Sequence, residues 1–292
     1  MKKLILRGFY AMFLQYFRYD PLIIFRNSRT PAGLYARQKW IQEGDTKGWQ
    51  SDFDATVEDL LAGQKRNGSW QDSPLITIRR LFGLHLTVRN RNEQIDRALE
   101  WLLSQDIVRR GRVHFSRKSD VIYGHELRSL PFTRGCYDHV VTCAILFLAS
   151  LFGHEFDEQV ITVYDRLART PRGSKGKWCS WSCSNNFLRA CIVHPDFRES
   201  DGLKSIVSAL LEVQRNDGNW PAPIPFYPTV NALGHLDKED ADLMLGRAFR
   251  KLRQNQNRDG TWGRTDKEWK TFLIVHALKR KSSLLEKMQA IP

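Results

Sequence analysis

Residues able to do acid–base or metal chemistry crowd into the middle of this chain. Cys136-Tyr-Asp-His139 places a thiol, a phenol, a carboxyl and an imidazole in succession at the head of its most apolar stretch, Cys136 to Leu151. Apolar walls and the adjacent His139 would shift the acidity of Asp138 and suit it to give or take a proton. An Asp facing the positive end of a helix dipole is the structural reading of the same residue. Cys179 and Cys183 are one helical turn apart, a spacing that lets both thiolates reach one metal ion, and Cys136 is a third candidate ligand. Free cysteines packed in a helical core are the alternative, and Cys143 and Cys191, deep in apolar runs, are read that way.

The elements that must position these groups follow from a turn that recurs. Gln64-Lys-Arg-Asn-Gly-Ser-Trp70, Gln214-Arg-Asn-Asp-Gly-Asn-Trp220 and Gln256-Asn-Arg-Asp-Gly-Thr-Trp262 share the pattern Gln-x3-Gly-x-Trp. Gly111-Arg-Val113 and Gly176-Lys-Trp178, the latter with Arg172 in place of Gln, are degenerate copies. Trp70, Val113, Trp178, Trp220 and Trp262 are separated by 43, 65, 42 and 42 residues, and an insertion before Cys136 accounts for the longer interval. Before each turn lies an amphipathic pattern, and after it an apolar one. The expected pairs are Phe53–Gln64 with Leu75–Leu86, then Asn92–Gln105 with Cys136–Leu151. Phe156–Leu167 with Trp181–Ile192, Leu203–Gln214 with Val230–Leu236, and Ala241–Gln256 with Trp269–Leu278 continue the series. A period of about 42 residues built from two helices is a stacked helical-hairpin array. In each turn Gly suits a left-handed helix end, and Trp packs over a Gln amide that satisfies backbone groups.

This repeat resembles the QW motif of squalene-hopene and oxidosqualene cyclases, whose relatives include the protein prenyltransferase β-subunits. The resemblance covers about Phe53 to Lys281 and implies an all-α fold, an α/α toroid of five or six hairpins around an apolar cavity. It implies a domain over residues 51–292, with N-terminal helices in 1–50 packed on the ring or completing it. It also implies an enzyme acting on an isoprenoid, a prenyl diphosphate or polyprene. The Asp-x-Asp-Asp acid of the cyclases is missing, however. Asp52-Phe-Asp54 and Glu239-Asp-Ala-Asp242 are read as helix N-terminal charges, which leaves Asp138 as the best acid. Zinc-dependent prenyl transfer, the family's second chemistry, uses an Asp-x-Cys segment. Here Arg134-Gly-Cys136-Tyr137 keeps the Cys and Tyr but has Arg134 in place of the Asp. The metals left open are zinc and magnesium.

If the inner helices run parallel, their N-termini gather on one rim and attract an anion, with Arg134, Arg264 and Lys267 placed to assist. Tyr137, Trp181, Asn185, Asn186, Tyr227, Asn231, His235, Trp269 and His276 are the other expected cavity residues. Aromatic faces there could stabilise a carbocation, and core packing explains the same spacing. A formal charge of +13 favours an anionic small molecule or an acidic membrane surface. Met1 to Phe17 is too short and charged to span a bilayer; it reads as a packed first helix or as one touching membrane peripherally. An odd number of cysteines and no recognisable signal peptide predict a reduced, cytoplasmic protein. No Walker loop, dinucleotide fingerprint or nucleic-acid module occurs, so no specific nucleic-acid partner is expected. A non-catalytic toroid that binds a partner is the rival to an enzyme.

Overall fold

A computed structural model describes residues 16–105, 126–169 and 178–289. The N-terminal stretch read as a surface helix, both degenerate turns up to Trp178 and most of the long loop before Cys136 lie outside them. Twelve α-helices are described, in chain order α1 Pro31–Ala36, α2 Lys47–Leu61, α3 Pro74–Thr87, α4 Glu93–Leu103, α5 Tyr137–Leu151 and α6 Glu158–Arg169. They continue as α7 Trp181–Cys191, α8 Asp201–Val213, α9 Phe226–Leu233, α10 Glu239–Gln254, α11 Lys267–Arg280 and α12 Ser282–Gln289. The only β feature among the described residues is an isolated bridge between Gln64 and Trp70, across the first turn.

The odd-numbered helices form the inner ring. α1 packs on α3, α3 on α5, α5 on α7, α7 on α9, α9 on α11, and α11 returns to α1. The even-numbered helices lie outside, as in α8 against α6 and α10. The fold is therefore an α/α toroid, and six inner helices close it. Patterning explains the two layers. From His139 to Ala149 every residue of α5 is buried, as an inner helix requires, whereas α4 buries only Ile95, Ala98, Leu99, Leu102 and Leu103. α2 begins at Lys47, six residues before the expected Phe53, because Thr46 caps it and Trp49 is buried with its indole N–H donating to Leu34 O at 3.1 Å. Asp52 thus lies in its second turn, paired with buried Arg37 at 2.7 Å and with Arg29 at 2.8 Å.

The turn works as a clamp between repeats. Gln64 Nε2 donates to Gly68 O of its own turn at 3.0 Å and to Gln94 O of the next outer helix at 2.7 Å. Gln214 does the same to Gly218 O and Met244 O, at 3.2 and 3.0 Å. Each Trp indole N–H donates back to the preceding outer helix or its cap: Trp70 to Ala62 O, Trp220 to Leu210 O and Trp262 to Leu252 O, at 2.9–3.0 Å. A further contact was not foreseen. The backbone N–H groups of Trp70, Trp178 and Trp262 donate to Thr77, Ser184 and Thr271 hydroxyls of the following inner helices. The third clamp closes on a different partner, the N-terminal segment. Gln256 Oε1 accepts from the N–H groups of Arg18 and Tyr19, both at 3.1 Å, and its Nε2 donates to Tyr19 O at 2.8 Å.

Glycine is required at the tip of each clamp for two reasons. Gly218 has φ +83°, and a Cβ there would lie 2.2 Å from Arg247 O; the same 2.2 Å separates a Cβ at Gly68 from Arg97 O. Gly218→Ala should therefore lower unfolding free energy by about 2–4 kcal/mol in denaturant titrations. Gly246 sits inside α10 with nothing within 4 Å of a built Cβ. Gly246→Ala should instead raise stability by about 0.5–1 kcal/mol.

Candidate functional site

Inside the ring, α3 and α11 flank α1, so the contact between Phe82 and Trp269, with centroids 5.9 Å apart, crosses the interior. Beside it opens a cavity of about 420 Å³, lined by Ala32, Leu60, Phe82, Gly83, Leu86 and Trp269. Its walls are buried apolar groups, and its exposed edge carries Arg79, Arg128, Asp266 and Lys267. Both lining carboxylates are engaged: Asp266 lies 3.7 Å from Arg128, and Glu268 accepts from the Ser28 and Thr30 hydroxyls. Lys267 pairs with Asp259 at 2.6 Å. Arg79 donates to Glu126 O at 2.5 Å and has no carboxylate partner among the described residues. The first turn of α11 faces this edge without a side-chain cap, because Asp266, in the N-cap position, takes a left-handed conformation with φ +47°. Its leading N–H groups are available to an anion.

Behind Trp269 the interior is filled. Trp269, Phe272, His276 and His235 form a continuous stack with centroids 5.3, 5.9 and 5.1 Å apart, and Trp40 of the π-helical turn after α1 packs on Phe272 at 5.1 Å. The cavity lies at the end of the ring where α11 begins. Lys267 and Trp269 are the two expected residues that line it. Arg79 and Arg128 were not singled out from sequence: one sits in a helix that reads as apolar, the other in a stretch that reads as loop.

The remaining expected residues are distributed around the ring. Asn185, Asn186 and Asn231 make ties between elements. Asn185 Nδ2 donates to Thr229 Oγ1 at 2.9 Å, and Asn231 Nδ2 to Leu273 O at 2.7 Å. Asn186 grips the backbone of Thr133, accepting from its N–H and donating to its carbonyl, each at 2.9 Å. Tyr227 is half-buried under Lys270, 5.6 Å from the ring centroid, and burial raises its phenol pKa. Arg134 and Arg264 are exposed. Tyr137 and Asp138 open α5, where burial, with Asp138 and Glu126 nearby, raises the Tyr137 pKa. Trp181, the first residue of α7, is partly buried. His139 is buried, 1% exposed, with Nε2 2.9 Å from Cys183 O.

The structure does bring Cys136, Cys179 and Cys183 together. Their sulfurs all lie within 4.8 Å of one another, with Cys136 and Cys179 3.5 Å apart. Cys143 is buried, as expected of a packing residue, and burial pushes its thiol pKa up.

No protein-family profile and no curated protein matches the sequence. Solved structures do match in fold. A protein from Actinoplanes superposes with a TM-score of 0.54 at 15% identity, over 87% of this chain and 89% of that one. A variant of the type II terpene cyclase MstE from Scytonema, in complex with the substrate geranylgeranyl dihydroxybenzoate, gives 0.56 at 11% identity, over 88% and 87%. Another variant of that cyclase, with the product merosterolic acid A, gives 0.56 at 12%, over 88% and 86%. The chain has a terpenoid-cyclase-like fold. No helix among the described residues is long and apolar enough to cross a membrane.

The imidazoles inside the ring give this fold an acid limb. Burial, with Arg280 and Arg189 nearby, lowers His276 from 6.5 to about 3; burial beside Arg89 lowers His85 to about 4, and His235 falls well below 6.5. In the unfolded chain these groups take up protons near pH 6.5, before the folded chain can. Stability should be intact above pH 6.5 and fall progressively as pH drops towards 3. His276→Phe, which keeps the stack, should flatten that decline in melting temperature against pH.

Proposed function

We propose that the protein binds an amphiphilic isoprenoid, its apolar chain in the cavity between α1, α3 and α11 and its anionic head at the cationic edge, and acts on it as a terpenoid-cyclase-like enzyme. The observation that carries this reading is the pairing, in one 420 Å³ cavity, of apolar walls with Arg79, Arg128 and an uncapped helix N-terminus. A diphosphate or carboxylate would accept from the guanidinium groups and from the first N–H groups of α11. Phe82 and Trp269 offer aromatic faces to the chain, which suits an alkene or a cation derived from it. The solved cyclase complexes hold substrates or products of that polarity, a terpenoid chain bearing a polar head. Asp138, at the head of α5 next to α3, is the proposed acid; His139 lies against the Cys183 carbonyl and is not among the cavity lining.

A second reading rests on one observation. Asp266 and Glu268, the carboxylates of the cavity, are held by Arg128 and by two hydroxyls, so neither is a free acid. A binding protein of the same ligand class, without turnover, needs nothing more than the cavity provides.

Geranylgeranyl diphosphate should bind one per chain in equilibrium dialysis. Leu86→Trp, which fills the cavity, should weaken binding by at least about tenfold, and Arg128→Glu by about tenfold through loss of a charge-assisted contact. Wild-type helicity in both variants would separate lost binding from misfolding. The absence of saturable binding of prenyl diphosphates would overturn the proposal. Mass spectrometry after incubation then separates the two readings: new hydrocarbon or alcohol products that vanish in Asp138→Asn support the enzyme, whereas unchanged ligand supports the binder.

A further inference from the structure

The three rim thiols are independent of that cavity. They lie on α5 and α7, whereas the cavity belongs to α1, α3 and α11. Cys136 occupies the N-cap position of α5 and makes no capping bond, Cys179 immediately precedes the Ser180 cap of α7, and Cys183 is in the first turn of α7. Two adjacent helix N-termini therefore converge on three sulfurs. Tetrahedral zinc with Zn–S bonds of about 2.3 Å requires S···S edges of about 3.8 Å. The observed set, mutually within 4.8 Å and 3.5 Å at its closest, brackets that edge.

Packing alone does not account for the cluster. Cys179 is exposed, so its sulfur gains little from apolar burial, yet it meets Cys136 across the seam between the two helices. All five cysteines are free. The side chain behind the cluster is positioned as an outer support. His139 Nε2 lies 2.9 Å from the carbonyl of Cys183 itself, and its buried Nδ1 has no partner among the described residues.

We infer that Cys136, Cys179 and Cys183 form a three-thiolate site for a soft divalent metal ion, zinc, at the rim of the toroid. No fourth His, Cys, Asp or Glu joins the cluster among the described residues, and the side of Cys179 is open to solvent. Binding releases the protons of whichever thiols are still protonated, so affinity rises with pH.

The reduced, metal-free full chain, titrated with cobalt(II) alone, reports the site by thiolate-to-cobalt charge transfer, and zinc should then displace the cobalt one for one. Cys179→Ser, at an exposed position that leaves the fold intact, should weaken binding by on the order of 100-fold and reduce the charge-transfer band by about one third. Cys136→Ser should do the same, and Cys143→Ala, outside the cluster, should leave the band unchanged. If the reduced chain shows three reactive rim thiols but no charge-transfer band and takes up less than about one-tenth zinc per chain, the inference is wrong. A band that persists at full strength in Cys179→Ser overturns it equally.

Discussion

The amide of Gln214 makes two bonds at once, one to its own turn at Gly218 O and one to Met244 O of the next outer helix. That double bond fixes the register between neighbouring hairpins, and the rest of the toroid depends on it. A helical hairpin of this length cannot bury its apolar face alone; it needs its neighbour, held at one angle and one height. The amide is buried, so losing either acceptor would leave a desolvated donor and cost about 1–3 kcal/mol. The Trp beside it is almost wholly buried and ties the same turn to the helix before it. One seven-residue turn thus joins three helices. At Gln256 the clamp grips Tyr19 instead, so the ring is sealed by the chain's own beginning.

Because every inner helix begins just after a connecting segment on the same side, the inner N-termini share one rim. The capping pattern sorts that rim into closed and open positions. Thr30, Ser73 and Ser180 cap α1, α3 and α7 with side-chain oxygens, whereas α5, α9 and α11 begin without such a bond. The cationic edge of the cavity lies at α11, and the thiol cluster lies between α5 and α7. Deeper in the ring lies the histidine and aromatic stack, and the cavity sits near the N-terminal end of α11.

The fold was legible because its determinants are local and repeated. Gln, Gly and Trp at fixed spacing name the clamp, and apolar runs such as Val140 to Leu148 can only be buried helices. The start of α2 was misplaced because the periodicity begins at Phe53, while the cap that starts the helix, Thr46, has no apolar neighbour except Trp49. The cysteine cluster was legible in part, since Cys179 and Cys183 are one turn apart, and Cys136 heads the preceding inner helix. The cavity was less so. Lys267 and Trp269 belong to an inner-helix start, but Arg79, Phe82 and Leu86 line it because of how α3 meets α11 around α1, a relation set by ring closure over nearly 200 residues of chain. Asn185 and Asn231 point to the same limit. Buried amides are visible in sequence as residues that need partners, and only the packed ring shows that the partners are Thr229 and Leu273 O.

What the cavity can do chemically turns on where a proton could come from. An acid able to protonate an alkene must be desolvated and must not be stabilised as its anion. Glu268 accepts from two hydroxyls, and Asp266 faces Arg128, so both hold the rim in place. In the proposed enzyme the donor is Asp138, outside this lining. Residues 126–136 run from the cavity edge to the head of α5: Arg128 and Ser129 line the cavity, Phe132 packs on Phe147 of α5 at 5.5 Å, and Thr133 is gripped by Asn186 of α7. Arg128 lies eight residues from Cys136 and ten from Asp138. One short segment thus connects the cavity edge to the α5 N-terminus, where Asp138 and the thiol cluster stand.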